Sequence, residues 1–146
     1  MKILYKSKNV AVILKEPGTS SVPDQTGATD AMTHLSEELS SGGESGELYP
    51  VHRLDKVVGG LIVFARNKKT ASALSALMSG DGVGKEYLAV CEGVLPDGEY
   101  VDYLLKDARQ NKAFVVDVGR GGDRACLVLE NLDKTDTPRA RDLLCV

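Results

Sequence analysis

The sequence predicts an α+β domain built on mixed or mainly antiparallel sheet with a few short helices. Three observations carry that prediction. Many short aliphatic or β-branched runs are bounded by turn residues, only two stretches show helical spacing, and strand and helix do not alternate as a parallel sheet requires. The 146 residues suffice for one domain with a real core and are too few for two ordinary ones. With no Trp and two Phe, that core has to be largely aliphatic.

The elements follow in order. Ile3-Leu4-Tyr5 and Val10-Ala11-Val12-Ile13-Leu14 flank the polar Ser7-Lys8-Asn9, the pattern of a hairpin. Lys15-Glu16-Pro17-Gly18 ends the second strand, because proline cannot donate to a ladder and glycine relieves the turn. Residues 19–28 read as loop. Thr29 or Asp30 can cap a helix running to about Leu39, with Ala31, Met32, Leu35 and Leu39 on its apolar side. Residues 40–46, rich in Ser and Gly, read as a flexible connector and the best candidate for disorder. Residues 48–54 are expected to be extended, with a break at Pro50, and residues 60–65 form a buried strand. Residues 70–78 carry Ala, Leu and Met at helical spacing and stop at Gly80. Strands are then expected at 85–92, 100–105, 113–118 and 125–132, and residues 142–146 read as the opening of another. A chain that ends inside an apolar run suggests a truncated domain.

Composition narrows the class without naming a function. Hydrophobic residues make up 42% and charged residues 27%, as in a soluble globular protein. The formal net charge of −3 does not favour nucleic-acid binding. Its distribution is uneven: residues 1–50 hold four Lys/Arg against seven Asp/Glu, and the remainder holds fourteen of each. Cys91, Cys126 and Cys145 are odd in number and widely spaced, so buried or partly buried free thiols are expected rather than disulfides or a metal site. No run approaches about 20 apolar residues and no secretory h-region follows Met1, which predicts a soluble, cytoplasmic protein.

The informative stretch is Val51-His52-Arg53-Leu54-Asp55-Lys56-Val57-Val58-Gly59-Gly60-Leu61-Ile62-Val63-Phe64-Ala65. A carboxylate stands in a short polar break between apolar runs, beside a His and an Arg. Gly59-Gly60 then permits tight geometry or the close approach of another segment. Catalytic residues are often set on such loops, although a turn with ordinary surface charge gives the same pattern. A protein-kinase catalytic loop needs His-Arg-Asp contiguous, and Leu54 intervenes. A zinc site needs clustered ligands, and His34 and His52 are the only histidines, with no cysteine near either.

His52-Arg53-Leu54-Asp55, followed by Gly60-Leu61 and an apolar strand, resembles the signature of the RluA-type RNA pseudouridine synthases. Ile3-Leu4-Tyr5 through Gly18 resembles the family's opening hairpin and its Lys-Pro-x-Gly turn, slightly altered. Tyr49-Pro50-Val51 resembles the lead-in to the nucleophile, and Lys85-Glu86-Tyr87-Leu88-Ala89 resembles the Lys-x-Tyr-x-Ala strand.

The resemblance implies a pseudouridine-synthase-like catalytic domain that isomerises uridine in structured RNA, rRNA or tRNA, with no cofactor and no metal. It implies that Asp55 is the catalytic carboxylate, either attacking the sugar or acting on it as a base. Tyr87 is implied as the active-site tyrosine, stacking on uracil and assisting proton removal, against the plainer reading of a packed strand aromatic. Arg53 is implied to help displace the target nucleotide from its stack, and His52 to orient the loop. Lys85 is open between a phosphate contact and an exposed strand-end lysine.

Two departures qualify that picture. Asp55-Lys56-Val57-Val58-Gly59-Gly60 stands where such enzymes read Asp-Arg-x-Thr-Ser-Gly, which removes two hydroxyl residues. The later Thr-Gly-Arg and His-Gln-Ile-Arg elements, whose basic residue pairs with the aspartate, are absent. Residues 1–146 are therefore expected to be a partial catalytic domain without its C-terminal strand region and without an N-terminal RNA-binding accessory domain. The alternative is a non-catalytic RNA-binding remnant or a truncated inactive fragment. Gly119-Arg120-Gly121-Gly122 reads as a turn rather than an RNA-binding element, and Arg109, Lys112, Arg139 and Arg141 are open between a phosphate path and solvated surface.

Overall fold

The computed structural model describes residues 1–80, 82–90, 95–110 and 112–131. They fall into two compact units, one within Met1–Val90 and one within Cys91–Ala140.

The first unit is a four-stranded antiparallel sheet with a helix on one face. Strands β1 (Lys2–Lys6) and β2 (Val10–Lys15) form the hairpin, β4 (Gly60–Ala65) pairs with β2, and the short β3 (Tyr49–Pro50) closes the order β1-β2-β4-β3. The β2–β4 register sets Ala11 opposite Phe64 and Ile13 opposite Ile62. Alternation along each strand therefore puts these four on one face. Helix α1 (Ala31–Ser41) covers that face with Ala31, Leu35 and Leu39, which join them and Leu48 in a core of aliphatic residues and one phenylalanine. Asp30 caps α1: its carboxylate accepts from the Thr33 amide at 2.9 Å and from the Thr33 hydroxyl at 2.7 Å. Helix α2 (Lys68–Ser79) packs beside β3 and β4, capped by Asn67, and none of its residues is buried.

The second unit is a three-stranded antiparallel sheet in the order β6-β5-β7, from β5 (Gly98–Asp107), β6 (Lys112–Val116) and β7 (Asp123–Leu129). Gly119 and Gly121, both at positive φ, lie in the link from β6 to β7, as a turn requires.

The α+β architecture matches the sequence prediction, and four local expectations change. Residues 85–90 belong to no strand. An aliphatic run becomes a strand only where a ladder partner lies alongside, and this segment enters none of the ladders among the described residues. Only Tyr49–Pro50 of the extended stretch pairs. The Ser/Gly connector is ordered by charge: Arg66 donates to the Ser7 carbonyl at 2.8 Å and the Ser45 carbonyl at 3.4 Å, and Glu44 pairs with Arg66 at 2.8 Å and with Lys6. Cys126 is an exposed free thiol rather than a buried one, donating to Glu99 Oε1 at 3.1 Å. The expected runs at 91–92 and 142–146, Cys91, Cys145, Arg139 and Arg141 lie outside the described residues.

Candidate active site

The loop from β3 to β4 carries Asp55, and its backbone is fastened on both sides of that residue. On the N-terminal side, the buried Ser21 hydroxyl donates to the Leu54 carbonyl at 2.6 Å and accepts from the Leu54 amide at 3.0 Å. On the C-terminal side, the Lys56 carbonyl accepts from the Gly18 amide at 2.7 Å and from Lys15 Nζ at 3.4 Å. The Val58 amide donates to the Asp55 carbonyl at 3.0 Å and closes the turn. The Asp55 side chain itself is exposed and makes no hydrogen bond or ion pair among the described residues.

Lys15 lies beneath this arrangement, only 1% exposed. Besides Lys56, its ammonium reaches the Thr19 carbonyl at 2.8 Å and the Glu16 carbonyl at 3.2 Å. Burial holds it below the usual lysine range, and the nearby Asp55 carboxylate pushes back. The same turn also starts α1, since the Ser20 and Ser21 carbonyls accept from the Ala31 and Met32 amides at 2.9 and 3.2 Å. Residues 15–21, the head of α1 and the Asp55 loop are thus one hydrogen-bonded block. Two glycines let the segments approach so closely. A Cβ on Gly59 would stand 2.9 Å from Pro17 Cδ, and Gly60 enters β4 buried at φ 147°.

A cavity of about 190 Å³ opens against this block, walled by residues 20–24 and 53–56. Arg53 and Asp55 both line it, together with Lys56 and Asp24. The Asp24 carboxyl is held down to about 2, first by hydrogen bonds from Thr26 and Ser20, with the Lys56 charge helping. It therefore stays anionic at any pH near neutral.

The remaining predicted residues lie elsewhere in the same unit. His52 is half-buried and its Nε2 accepts from the Val63 amide at 3.0 Å, which ties the loop to β4. An acceptor at Nε2 requires neutral imidazole with its proton on Nδ1. Burial, and then the charge of Lys85, lower the His52 pKa from the ordinary 6.5. Lys85 donates to the Met78 carbonyl at the end of α2 at 3.0 Å. Tyr87 is 58% exposed and does not line the cavity. Arg53 and Asp55 are brought together; His52, Lys85 and Tyr87 are not brought to that cavity.

Sequence reasoning missed Lys15, Ser21 and Asp24. Lys15 had a signal, since it shares the inward parity of Ala11 and Ile13 in β2. Ser21 and Asp24 sat in a stretch read only as loop. Among the described residues, no cluster of His, Cys, Asp and Glu could hold a metal ion, and no helix is long and apolar enough to cross a membrane.

Comparison with known proteins gives a consistent result. Residues 3–144 match the family model described as RNA pseudouridylate synthase. The chain is 28% identical over 141 residues to the tRNA pseudouridine synthase C of Haemophilus ducreyi, covering 94% of this chain and 56% of that protein. It is 34% identical over 112 residues to the ribosomal large subunit pseudouridine synthase D of Xylella fastidiosa, covering 73% of this chain and 32% of the relative. Its fold is similar to that of human RNA pseudouridylate synthase domain containing 4, with a TM-score of 0.67 at 23% identity, over 86% of this chain and 51% of the human one. The chain spans about half the length of these proteins at most.

Proposed function

Because this chain belongs to the RNA pseudouridylate synthase family, we propose that it carries part of a catalytic site that isomerises uridine to pseudouridine in structured RNA, rRNA or tRNA, in the cytoplasm. The observation that supports this best is the placing of Asp55: an exposed carboxylate on a cavity wall, with the backbone on either side fastened to a buried turn. The reaction breaks the bond from the anomeric carbon to N1, rotates the uracil, and joins C5 to the same carbon. C5 loses a proton and N1 regains one, so nothing else is consumed. Charge develops at the anomeric carbon, and a carboxylate fixed beside it can stabilise that charge by attack or can act as a base on the sugar. A loop ordered beforehand holds that carboxylate in place without further reorganisation.

The other residues take roles consistent with their positions. Arg53, exposed at the cavity, occupies the stack vacated by an everted nucleotide. The cavity is smaller than the roughly 300–1,000 Å³ of ordinary ligand pockets, a size that suits part of one nucleotide. His52 positions the loop through Val63 and transfers no proton. Tyr87, exposed and outside every strand, reaches the base once RNA is bound, and Lys85 contacts phosphate. The reading needs neither metal nor membrane.

The test is RNA from cells lacking the gene, mapped for pseudouridine, with wild type or Asp55→Ala supplied back. The wild type is expected to restore the modification and the variant to leave the uridine unchanged. Since the Asp55 side chain supports no other group among the described residues, its loss should not unfold the protein. Equal modification by both would remove Asp55 from the chemistry.

A second reading, an RNA-binding but inactive chain, has its own support. No cation lies within ion-pair distance of Asp55 among the described residues, and Tyr87 stands off the cavity. Purified chain that binds RNA with strong salt dependence yet forms no pseudouridine would favour it.

A further inference from the structure

The hairpin tip and the link from β4 to α2 meet at the end of the sheet remote from Asp55. The Arg66 amide donates to the Asn9 carbonyl at 2.8 Å, and the Asn67 side-chain amide donates to Asn9 Oδ1 at 3.0 Å. Their neighbours in sequence, Lys8 on one side and Lys68 and Lys69 on the other, are exposed and form no ion pair among the described residues. With Lys6 and Arg66, which both pair with Glu44, five cations belong to these two segments in a chain whose net charge is −3. The six residues of β2 separate this patch from Lys15 and the Asp55 loop, about 20 Å at ~3.3 Å per residue.

Stability does not explain the patch. Lys68 and Lys69 occupy the first turn of α2, which holds no acidic residue. Cations at a helix N-terminus oppose the helix dipole, so acidic residues would serve the fold better there. Positive charge placed against that preference, beside more positive charge from a separate hairpin, is suited to an anionic ligand. We propose that Lys8, Lys68 and Lys69 form a phosphate-binding surface that grips the RNA backbone about 20 Å from the reacting uridine. The surface holds the RNA without reading its sequence. The proposal rests on the reading that this chain acts on RNA.

The test measures binding of a fluorescein-labelled RNA stem-loop across a range of salt. It compares the full chain with a Lys8→Glu, Lys68→Glu, Lys69→Glu triple variant and a milder Lys→Gln triple at the same positions. Each lost phosphate contact removes about 0.7–0.9 from the slope of log K against log salt. The triple variants should therefore lower the slope by about 2 and weaken binding at least tenfold at low salt, equally for unrelated stem-loops. The melting temperature should hold, and should rise with Glu at positions 68 and 69. Unchanged affinity and slope would overturn the patch while leaving the function intact. Loss of binding to phosphatidylserine vesicles with RNA binding retained would overturn it in favour of a membrane surface. A wild-type chain that binds no RNA stem-loop would overturn the proposed function as well.

Discussion

Replacing Lys15 with methionine keeps the length of the side chain and removes the ammonium that joins the turn to the Asp55 loop. The bond to the Thr19 carbonyl, at 2.8 Å, is a good charge-assisted one, that to Glu16 is 3.2 Å, and that to Lys56 is at the limit at 3.4 Å. A hydrogen bond to a charged group contributes about 1.5–3 kcal/mol, and a buried carbonyl left bare costs a similar amount. The Lys56 carbonyl keeps the Gly18 amide and Glu16 is exposed to water, so the loss falls mainly on the half-buried Thr19. Against it stands the relief of a desolvated ammonium, whose burial already lowers its pKa. The balance is a destabilisation of about 2 kcal/mol. In a unit of fewer than 100 residues, that is about 8–16 °C in Tm. Thermal unfolding followed by circular dichroism reads the change directly, and single-turnover pseudouridine formation should fall about tenfold or more as the loop loosens. A Tm that stays within about 2 °C of wild type, or rises, would refute the reasoning. Lys15 would then be a buried cation that the fold tolerates rather than uses.

Further perturbations probe the same block from other sides. Ser21→Ala removes both bonds to Leu54 and should cost about 1–3 kcal/mol by chemical denaturation, with RNA affinity changing less than turnover. Gly59→Ala puts a methyl group 2.9 Å from the Pro17 ring and should cost about 1–3 kcal/mol. Gly84→Ala, where a Cβ meets nothing within 4 Å, should leave Tm unchanged in the same experiment. His52 gives a pH dependence. Its folded pKa is below 6.5, so below that pH the unfolded chain takes up the proton first, and stability falls as pH drops from 6.5 toward the folded value. His52→Gln should flatten urea-midpoint stability across that window, and a slope that persists would place its origin elsewhere.

Local physics was the readable part of this sequence. The β-rich run from Val10 to Leu14, the apolar run from Leu61 to Ala65 and a cap at Thr29 or Asp30 each depend on neighbours a few residues away, and each produced the element expected, with Asp30 as the cap. The polar break at 52–56 was likewise legible as a loop. What held the loop was not. Ser21 meets Leu54 across 33 residues and Lys15 meets Lys56 across 41, and neither serine nor lysine announces so distant a carbonyl. The connector at 40–46 misled for the same reason: its composition is that of a flexible linker, yet Arg66, over twenty residues on, fastens it. The stretch around Tyr87 shows the converse, since its apolar content gives no strand over residues 85–90, which enter no ladder among the described residues.

Fixing a peptide unit in one conformation costs about 1–2 kcal/mol of entropy per residue, and for the segment around Asp55 that loss is met when the chain folds rather than when a substrate arrives. Recognition on this side of the encounter is then a rigid-body event. On the proposed function, the nucleotide would conform to this loop, and discrimination between uridines would fall to the readiness of each RNA to release its base. Any lesion that slackens the 15–21 turn should make itself felt as slow turnover on well-bound RNA.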